Sequence, residues 1–341
     1  MTHREINATD VEMTIPRWLA RKRIPYGECT VLVGDENVGK SMFTAMLASV
    51  VTTGTPLPEF GIRDREPGSV LIISTEESLS EALKPRLIVA GADLGRVSFL
   101  NEVDSSDLEE LKVGRRHSLI IVDSWLDTVP AKLARGMKTP KNARLAIEPW
   151  VKLARESGAA VILVCHTNRV ASLEIRDTYG NTSELRKMLR NTLYCIRDDL
   201  GRFIVGVDKA NNVEREPATA FEFVSVDHPL VFDTLDDEDC EKTVGMLVAD
   251  EVLGMTIDEV HFNKVMALKN SGEVEAVNKY GTQEFVRNLI STNPGQTRGE
   301  LVNATTGALG CSAKTVDRAL KAIGVVKISR QCYLPEDLPQ P

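Results

Sequence analysis

The residues best suited to chemistry form one short pattern near the N-terminus, at Gly34, Gly39, Lys40 and Ser41. They match G-x-x-x-x-G-K-[S/T], a loop whose backbone N–H groups surround phosphates, whose lysine reaches the outer phosphates and whose hydroxyl holds Mg²⁺. The pattern therefore predicts a site for ATP and Mg²⁺. The complete predicted binding segment is Gly34, Asp35, Glu36, Asn37, Val38, Gly39, Lys40, Ser41 and Met42.

Two elements must position this loop. Thr30–Val33 is a short β-branched run that predicts a buried strand, and Met42–Val51 is apolar, with small residues and no helix breaker. The order strand, loop, helix is the one that this phosphate-binding pattern needs. The positive end of the helix would then face the phosphates.

A carboxylate follows the next predicted strand, Ser69–Ser74. Glu76 lies just beyond that strand, where a general base for the attack of water would sit. An alternative is that Glu76 and its neighbour Glu77 are acids at the start of a helix over Ser78–Val89, stabilised by the helix dipole. The first interpretation makes Glu76 the predicted catalytic base.

A second carboxylate, Asp123, ends the apolar run His117–Val122. Strand ends of one parallel sheet meet at the same edge, so Asp123 is expected beside the phosphate loop. There it would share Mg²⁺ with Ser41, directly or through water.

Polar residues also follow the predicted strand Ala160–Cys165. His166 and Arg169 are positioned to sense the γ-phosphate and to pass its loss to the following loop. A lone histidine is more often a structural residue, but its place in line with Glu76 and Asp123 favours sensing.

Several cations lie on the loops that leave these strands, namely Lys132, Arg135, Lys138 and Arg176. They could track the phosphates of a nucleic acid or simply face solvent, and the sequence leaves both interpretations open. The net charge of −8 argues against a surface that coats nucleic acid, so any such contact must be local.

The whole chain predicts a cytoplasmic protein. Its six cysteines are scattered, with no C-x-x-C pair, and no run of 18 apolar residues could form a membrane span. The first 27 residues lack the apolar centre of a signal peptide. Membrane partners are therefore not expected.

Together these motifs resemble the RecA-like P-loop ATPases, and within them the RepA-type hexameric helicases, over about Trp18–Val226. The resemblance implies a mostly parallel sheet flanked by helices. It also implies that Glu76 activates water, that Asp123 completes the Mg²⁺ site, and that Lys209 reaches the γ-phosphate of the neighbouring subunit. Glu36 and Asn37 replace the usual Pro-Gly of the loop, which predicts a modest affinity for ATP.

The C-terminal part predicts a separate α+β module. Helices are expected over Gln283–Ile290, Arg298–Thr306 and Ser312–Ile323, followed by two short strands within Gly324–Leu334, which is the order of a winged helix. Lys314 and Arg318 would face DNA on its recognition helix. The alternative is that the module binds protein.

The predicted domains are an ATPase domain with an N-terminal arm (1–232), an acidic linker and helical connector (233–281) and a winged helix (282–341). The leading hypothesis is an ATP-driven motor on single-stranded DNA that forms a six-membered ring. The alternatives are a recombination or repair ATPase that forms filaments and a nucleotide-gated DNA-binding regulator that does not translocate.

Overall fold

The computed structural model describes residues 6–101, 117–134, 137, 139–167, 172–210, 214–230, 242–270, 286–287, 289–291, 294–309, 313–328 and 331–335. The chain divides into two compact units. The first comprises Met1–His166 and Asn181–Ile257, and the second comprises Thr167–Gly180 and Asp258–Pro341.

The first unit contains a short hairpin and a nine-stranded sheet. The hairpin strands are β1 (Trp18–Ala20) and β2 (Ile24–Pro25). The sheet strands are β3 (Cys29–Gly34), β4 (Val70–Ser74), β5 (Val97–Asn101), β6 (Leu119–Asp123), β7 (Ala160–His166), β8 (Asn191–Arg197), β9 (Phe203–Ala210), β10 (Thr219–Asp227) and β11 (Thr243–Val252). They lie in the order β11-β10-β9-β8-β3-β7-β6-β4-β5. The strands from β8 to β5 are parallel, and β9, β10 and β11 are antiparallel additions.

Helices connect and cover these strands. They are α1 (Lys40–Thr53), α2 (Lys84–Val89), α3 (Ala131–Ala134), α4 (Pro140–Ser157) and α5 (Ser183–Met188), and a π-helical turn, Leu79–Leu83, precedes α2. The next helix, α6 (Ile257–Asn270), belongs to the second unit except for its first residue. Leu32 and Ile121 pack in one core with Phe43 of α1. Their strand neighbours Val31 and Ile120 point to the other face and are buried too, so both faces of the sheet are covered. The predicted RecA-like α/β fold is confirmed.

The antiparallel edge extends further along the chain than the sequence predicts. The prediction that residues 233–281 form a linker is wrong for β11, because Thr243–Val252 pairs with β10 and buries Leu247 in the core of the first unit. Phe203 and Phe221 hold β9 and β10 on α1, with their ring centroids 5.2 and 5.7 Å from that of Phe43. The antiparallel strands are thus part of the core of the first unit.

The second unit contains α7 (Arg298–Leu309), α8 (Ala313–Ala322) and the antiparallel pair β12 (Val326–Ile328) and β13 (Gln331–Tyr333). Val286, Arg287 and Leu289–Ser291 are helical as well. These elements share a core of Val286, Ile290, Leu301, Val316, Leu320, Ile323, Cys332 and Leu334. The observed order of helices and hairpin agrees with the order expected from the sequence.

Within the part of the chain that the structure describes, no helix combines the length and the apolarity needed to cross a membrane.

Candidate nucleotide-binding site

The loop between β3 and α1 is shaped by two glycines. Gly39 has φ +116°, and a Cβ there would lie 2.8 Å from the ring of Phe223. At Gly34 a Cβ would lie 2.4 Å from Sγ of Cys195 and 2.7 Å from its backbone oxygen. Asn37 adopts the left-handed conformation, with φ 59°. Asparagine tolerates this conformation better than most residues, so the loop forms without the usual glycine.

Lys40 lies inside this loop with only 5% of its surface exposed. Its Nζ donates to the backbone oxygens of Gly34 at 3.0 Å and Asp35 at 2.7 Å. It also lies 3.2 Å from Nδ1 of His166. The ammonium group is therefore held at the loop, where the oxygens of a polyphosphate could replace the carbonyls as partners.

Ser41 and Asp123 meet as the sequence predicts. The Ser41 hydroxyl donates to Oδ2 of Asp123 over 3.0 Å. A hydroxyl and a carboxylate are hard oxygen donors of the kind that Mg²⁺ prefers, and Mg²⁺ keeps several waters and phosphate oxygens as further ligands. Among the described residues no group of three or more His, Cys, Asp or Glu could hold a metal ion. The pair therefore fits Mg²⁺ that arrives with a phosphate.

The Asp123 carboxyl has an unusual proton affinity. Burial raises its pKa to about 6, opposed by the hydrogen bond from Ser41 and reinforced by the Glu77 carboxylate. A proton on Asp123 must leave before the carboxylate can bind a metal ion. Proton and Mg²⁺ therefore compete at this oxygen pair below about pH 6.

We expect the Mg²⁺ concentration that half-saturates ATP hydrolysis to rise roughly fourfold between pH 7.5 and pH 5.5, since the deprotonated fraction of a group with that pKa falls by about this factor. Mg²⁺ titrations of the ATPase rate at the two pH values measure it. In Asp123→Asn this particular shift should vanish, because the amide does not titrate. An identical shift in that variant would assign the effect to another group.

Glu76 and Glu77 are adjacent but differently held. Arg86 donates to Oε2 of Glu77 over 2.5 Å, in a half-buried ion pair. Glu76 has no guanidinium partner among the described residues, and its Oε2 lies 3.8 Å from Nε2 of His166. Ser78 caps the π-helical turn, and the acid in the first turn is Glu81. Glu76 thus precedes the cap of the turn, and the prediction that it orients water stays a prediction.

His166 connects the lysine to this carboxylate. Since Lys40 can only donate, Nδ1 of His166 must accept, which assigns the ring proton to Nε2, on the side of Glu76. The ring therefore contacts the group that would hold the γ-phosphate and the group that would activate water. The sensor role of His166 stays a prediction, and Arg169 lies outside the described residues.

Lys209 is placed differently from the expected trans contact. Its Nζ donates to the backbone oxygens of Arg186 at 2.7 Å and Leu189 at 2.9 Å, at the C-terminal end of α5. Burial, with the nearby Arg186 cation, lowers its pKa. Lys209 thus satisfies carbonyls of its own chain, and the prediction that it reaches a neighbouring subunit gains no support.

The predicted DNA contacts are only partly visible. Lys132 is exposed on α3, and Lys314 and Arg318 are exposed on α8, one helical turn apart. Arg176 forms an ion pair with Glu174. Arg135 and Lys138 lie outside the described residues.

Two arginines at the site were not predicted. Arg86 and Arg197 both line the cavity beside the loop, and the Arg197 guanidinium lies 4.0 Å from the ring centre of Phe223. Arg197 ends β8, the parallel neighbour of β3, so the rule that strand ends converge could have identified it. Arg86 lies on a helix and carries no such signal.

The cavity formed by these groups has a volume of about 540 Å³. It is lined by Glu36, Asn37, Gly39, Lys40, Ser41, Met42, Glu76, Glu77, Arg86, Asp123, His166 and Arg197. A family model described as an AAA domain matches residues 2–172. No curated protein matches the chain significantly.

Proposed function

The chain belongs to the AAA domain family, and from this premise we propose that it is an ATP-dependent motor on single-stranded DNA, similar to the RepA-type hexameric helicases. Family membership supports a nucleotide-dependent ATPase. The proposal that the chain hydrolyses ATP rests on one observation. A single cavity is lined by Lys40, Asp123, Glu76 and His166. DNA as the substrate, and the ring, are our proposals.

In the proposed reaction each residue has one task. Lys40 and the loop N–H groups hold the β- and γ-phosphates, and Ser41 and Asp123 provide two of the ligands of Mg²⁺. Bound Mg²⁺ would neutralise charge that develops on the phosphate oxygens. Glu76 orients a water molecule for in-line attack on the γ-phosphorus and accepts its proton, while the bond to the β–γ bridging oxygen breaks and ADP is the leaving group. His166 responds when the γ-phosphate leaves, because it contacts both Lys40 and Glu76.

The cations of the two units suggest how DNA could be bound. Lys132 lies on the loop that leaves β6, whose last residue is the Mg²⁺ ligand Asp123, so its position can change with hydrolysis. Lys314 and Arg318 lie on α8, a helix of the second unit that packs on α7 through the core residue Val316. We propose that this unit is a winged helix and that α8 contacts duplex or forked DNA.

We expect the two kinds of DNA contact to separate by mutation. Lys132→Gln/Arg135→Gln/Lys138→Gln should abolish the stimulation of ATPase by single-stranded DNA and should flatten the log–log salt dependence of binding by about 0.7 per lost phosphate contact. Arg176 is left out, because it already pairs with Glu174. Lys314→Gln/Arg318→Gln should weaken binding to forked DNA and keep the stimulation.

The same experiment tests the motor itself. Stimulation that survives in the loop variant and disappears on deletion of 282–341 would contradict the motor, and would favour the nucleotide-gated DNA-binding regulator. One observation favours the nucleotide-gated regulator. Lys209, the residue expected to act on a neighbouring ATP site, is engaged within its own chain.

We expect Lys209→Met to reduce stability more than catalysis. Its ammonium group satisfies carbonyls at the end of α5, so its loss should lower the free energy of unfolding by about 1–3 kcal/mol. Per folded molecule, the ATPase rate should fall by less than about tenfold, whereas loss of a trans-acting cation costs about a thousandfold or more. Urea unfolding and ATPase rates decide between a structural role and a trans-acting role of Lys209. A thousandfold loss of rate with an unchanged urea midpoint would restore the trans role.

A further inference from the structure

A second cavity of the first unit lies beside the hairpin β1–β2. It has a volume of about 390 Å³ and is lined by Trp18, Leu19, Arg21, Gly61, Arg63 and Arg65. We propose that this cavity binds single-stranded nucleic acid, with one base stacked on Trp18 and the adjacent phosphates bound by Arg21 and Arg63. The inference goes beyond the proposed function, since binding here requires neither hydrolysis nor translocation.

The walls of this cavity are fixed by hydrogen bonds. Arg65 donates through Nη1 to the Tyr26 hydroxyl over 2.8 Å and through Nη2 to the backbone oxygen of Leu19. The backbone N–H of Arg21 donates to the oxygen of Gly61 over 2.9 Å, which joins the hairpin to the turn after α1. A preformed cavity loses little entropy when a ligand enters.

The cations of the cavity are available to a ligand. Within the described part of the chain, the guanidinium groups of Arg21 and Arg63 have neither a hydrogen bond nor an ion pair, and both residues are exposed. Lys22, next to Arg21, is by contrast paired with Glu216 over 2.6 Å. The acids nearest in sequence, Asp64 and Glu66, do not line the cavity. Its lining is therefore positively charged and lacks carboxylates.

The position of the cavity separates it from the ATP site. Trp18 and Arg21 precede the first residue of β3, whereas the phosphate loop follows its last. Gly61 and Arg63 follow the C-terminal end of α1, which begins at the phosphate loop. The two cavities share no lining residue, so this cavity is separate from the ATP site.

The lining favours nucleic acid over an acidic protein segment. An acidic peptide would use the arginines and gain nothing specific from an indole. A nucleotide uses both, because phosphates pair with guanidinium groups and any base can stack on an aromatic face. The cavity volume falls in the range of small-ligand sites and suits about one nucleotide.

The tryptophans of this chain provide a local signal for the test. Of the three, Trp125 and Trp150 are fully buried and Trp18 is half-buried at the cavity. Titration with an oligothymidylate of about 12 nucleotides, or with its ribonucleotide equivalent, should quench the fluorescence saturably in the absence of ATP. The oligonucleotide that quenches at the lower concentration shows whether the cavity prefers DNA or RNA.

Two matched double variants complete the design. Arg21→Gln/Arg63→Gln should raise the midpoint of quenching about tenfold or more and flatten its log–log salt slope by about 1.4, for two lost phosphate contacts. Arg144→Gln/Arg155→Gln removes the same charge from two exposed positions of α4 and should titrate like the wild type. Trp18→Phe should lose the quenching and keep binding measured by anisotropy of a labelled oligonucleotide.

Three results would overturn the proposal. They are absence of quenching in the wild type, an Arg21→Gln/Arg63→Gln variant that titrates like the wild type, and quenching by polyglutamate without quenching by either oligonucleotide. The last would assign the cavity to an acidic protein segment. ATPase stimulation by DNA is measured separately. Quenching without any stimulation of the ATPase would contradict the proposed motor function. It would not contradict nucleic-acid binding at this cavity.

Discussion

Glu76→Gln is expected to slow ATP hydrolysis by about a hundredfold or more while nucleotide binding stays close to that of the wild type. The glutamine keeps the shape of the side chain and cannot accept the proton of the attacking water. Glu76 lines the cavity and lies 3.8 Å from His166, with no guanidinium to neutralise it among the described residues. Single-turnover hydrolysis and binding of a fluorescent ATP analogue measure the two effects separately.

Glu77→Gln is the matched control, because it makes the same change one residue away. Glu77 is held by Arg86, and we expect its loss to reduce the rate by less than about tenfold. A hundredfold loss in Glu77→Gln, with normal turnover in Glu76→Gln, would exchange the two assignments. We also expect Arg86→Gln to change the ATPase rate as Glu77→Gln does, since it breaks the same ion pair.

The parallel half of the sheet could be predicted from the sequence because its strands are unbroken apolar runs. Buried strands such as β4 and β6 need apolar residues on both faces, and this composition gives a strong signal. Each of these runs is followed by a polar residue, and parallel strands bring such residues to one edge. For that reason the sequence predicts that Asp123 and His166 lie beside Lys40.

The antiparallel edge could not be predicted in the same way. In β11 only two of the ten residues are buried, and the strand follows an acidic stretch that resembles a linker. Its place in the sheet depends on pairing with β10, which is not encoded in its own composition. The partner of Lys209 is similarly non-local, because it depends on how α5 ends beside β9. Long-range contacts of this kind decide which of several cations faces the ATP site.

Lys40→Ala is expected to abolish hydrolysis and to weaken nucleotide binding by about a hundredfold. Lys40 is the buried cation of the loop, and it lines the same cavity as the Asp123, Glu76 and Glu77 side chains. It also lowers the pKa of Asp123, so its removal should make that carboxyl harder to deprotonate. Lys40→Ala therefore weakens both phosphate binding and Mg²⁺ binding.

This double effect makes Lys40→Ala distinguishable from Glu76→Gln. Raising the Mg²⁺ concentration should recover little ATP binding in Lys40→Ala, because the phosphate contact itself is missing, whereas Glu76→Gln should bind ATP at ordinary Mg²⁺ concentrations. Lys40→Arg is the informative companion, since it keeps the positive charge and replaces the compact ammonium by a planar group that does not match the spacing of the Gly34 and Asp35 oxygens. We expect it to recover part of the binding and none of the hydrolysis. Turnover in Lys40→Ala above about a tenth of the wild-type rate would mean that the phosphates are bound elsewhere.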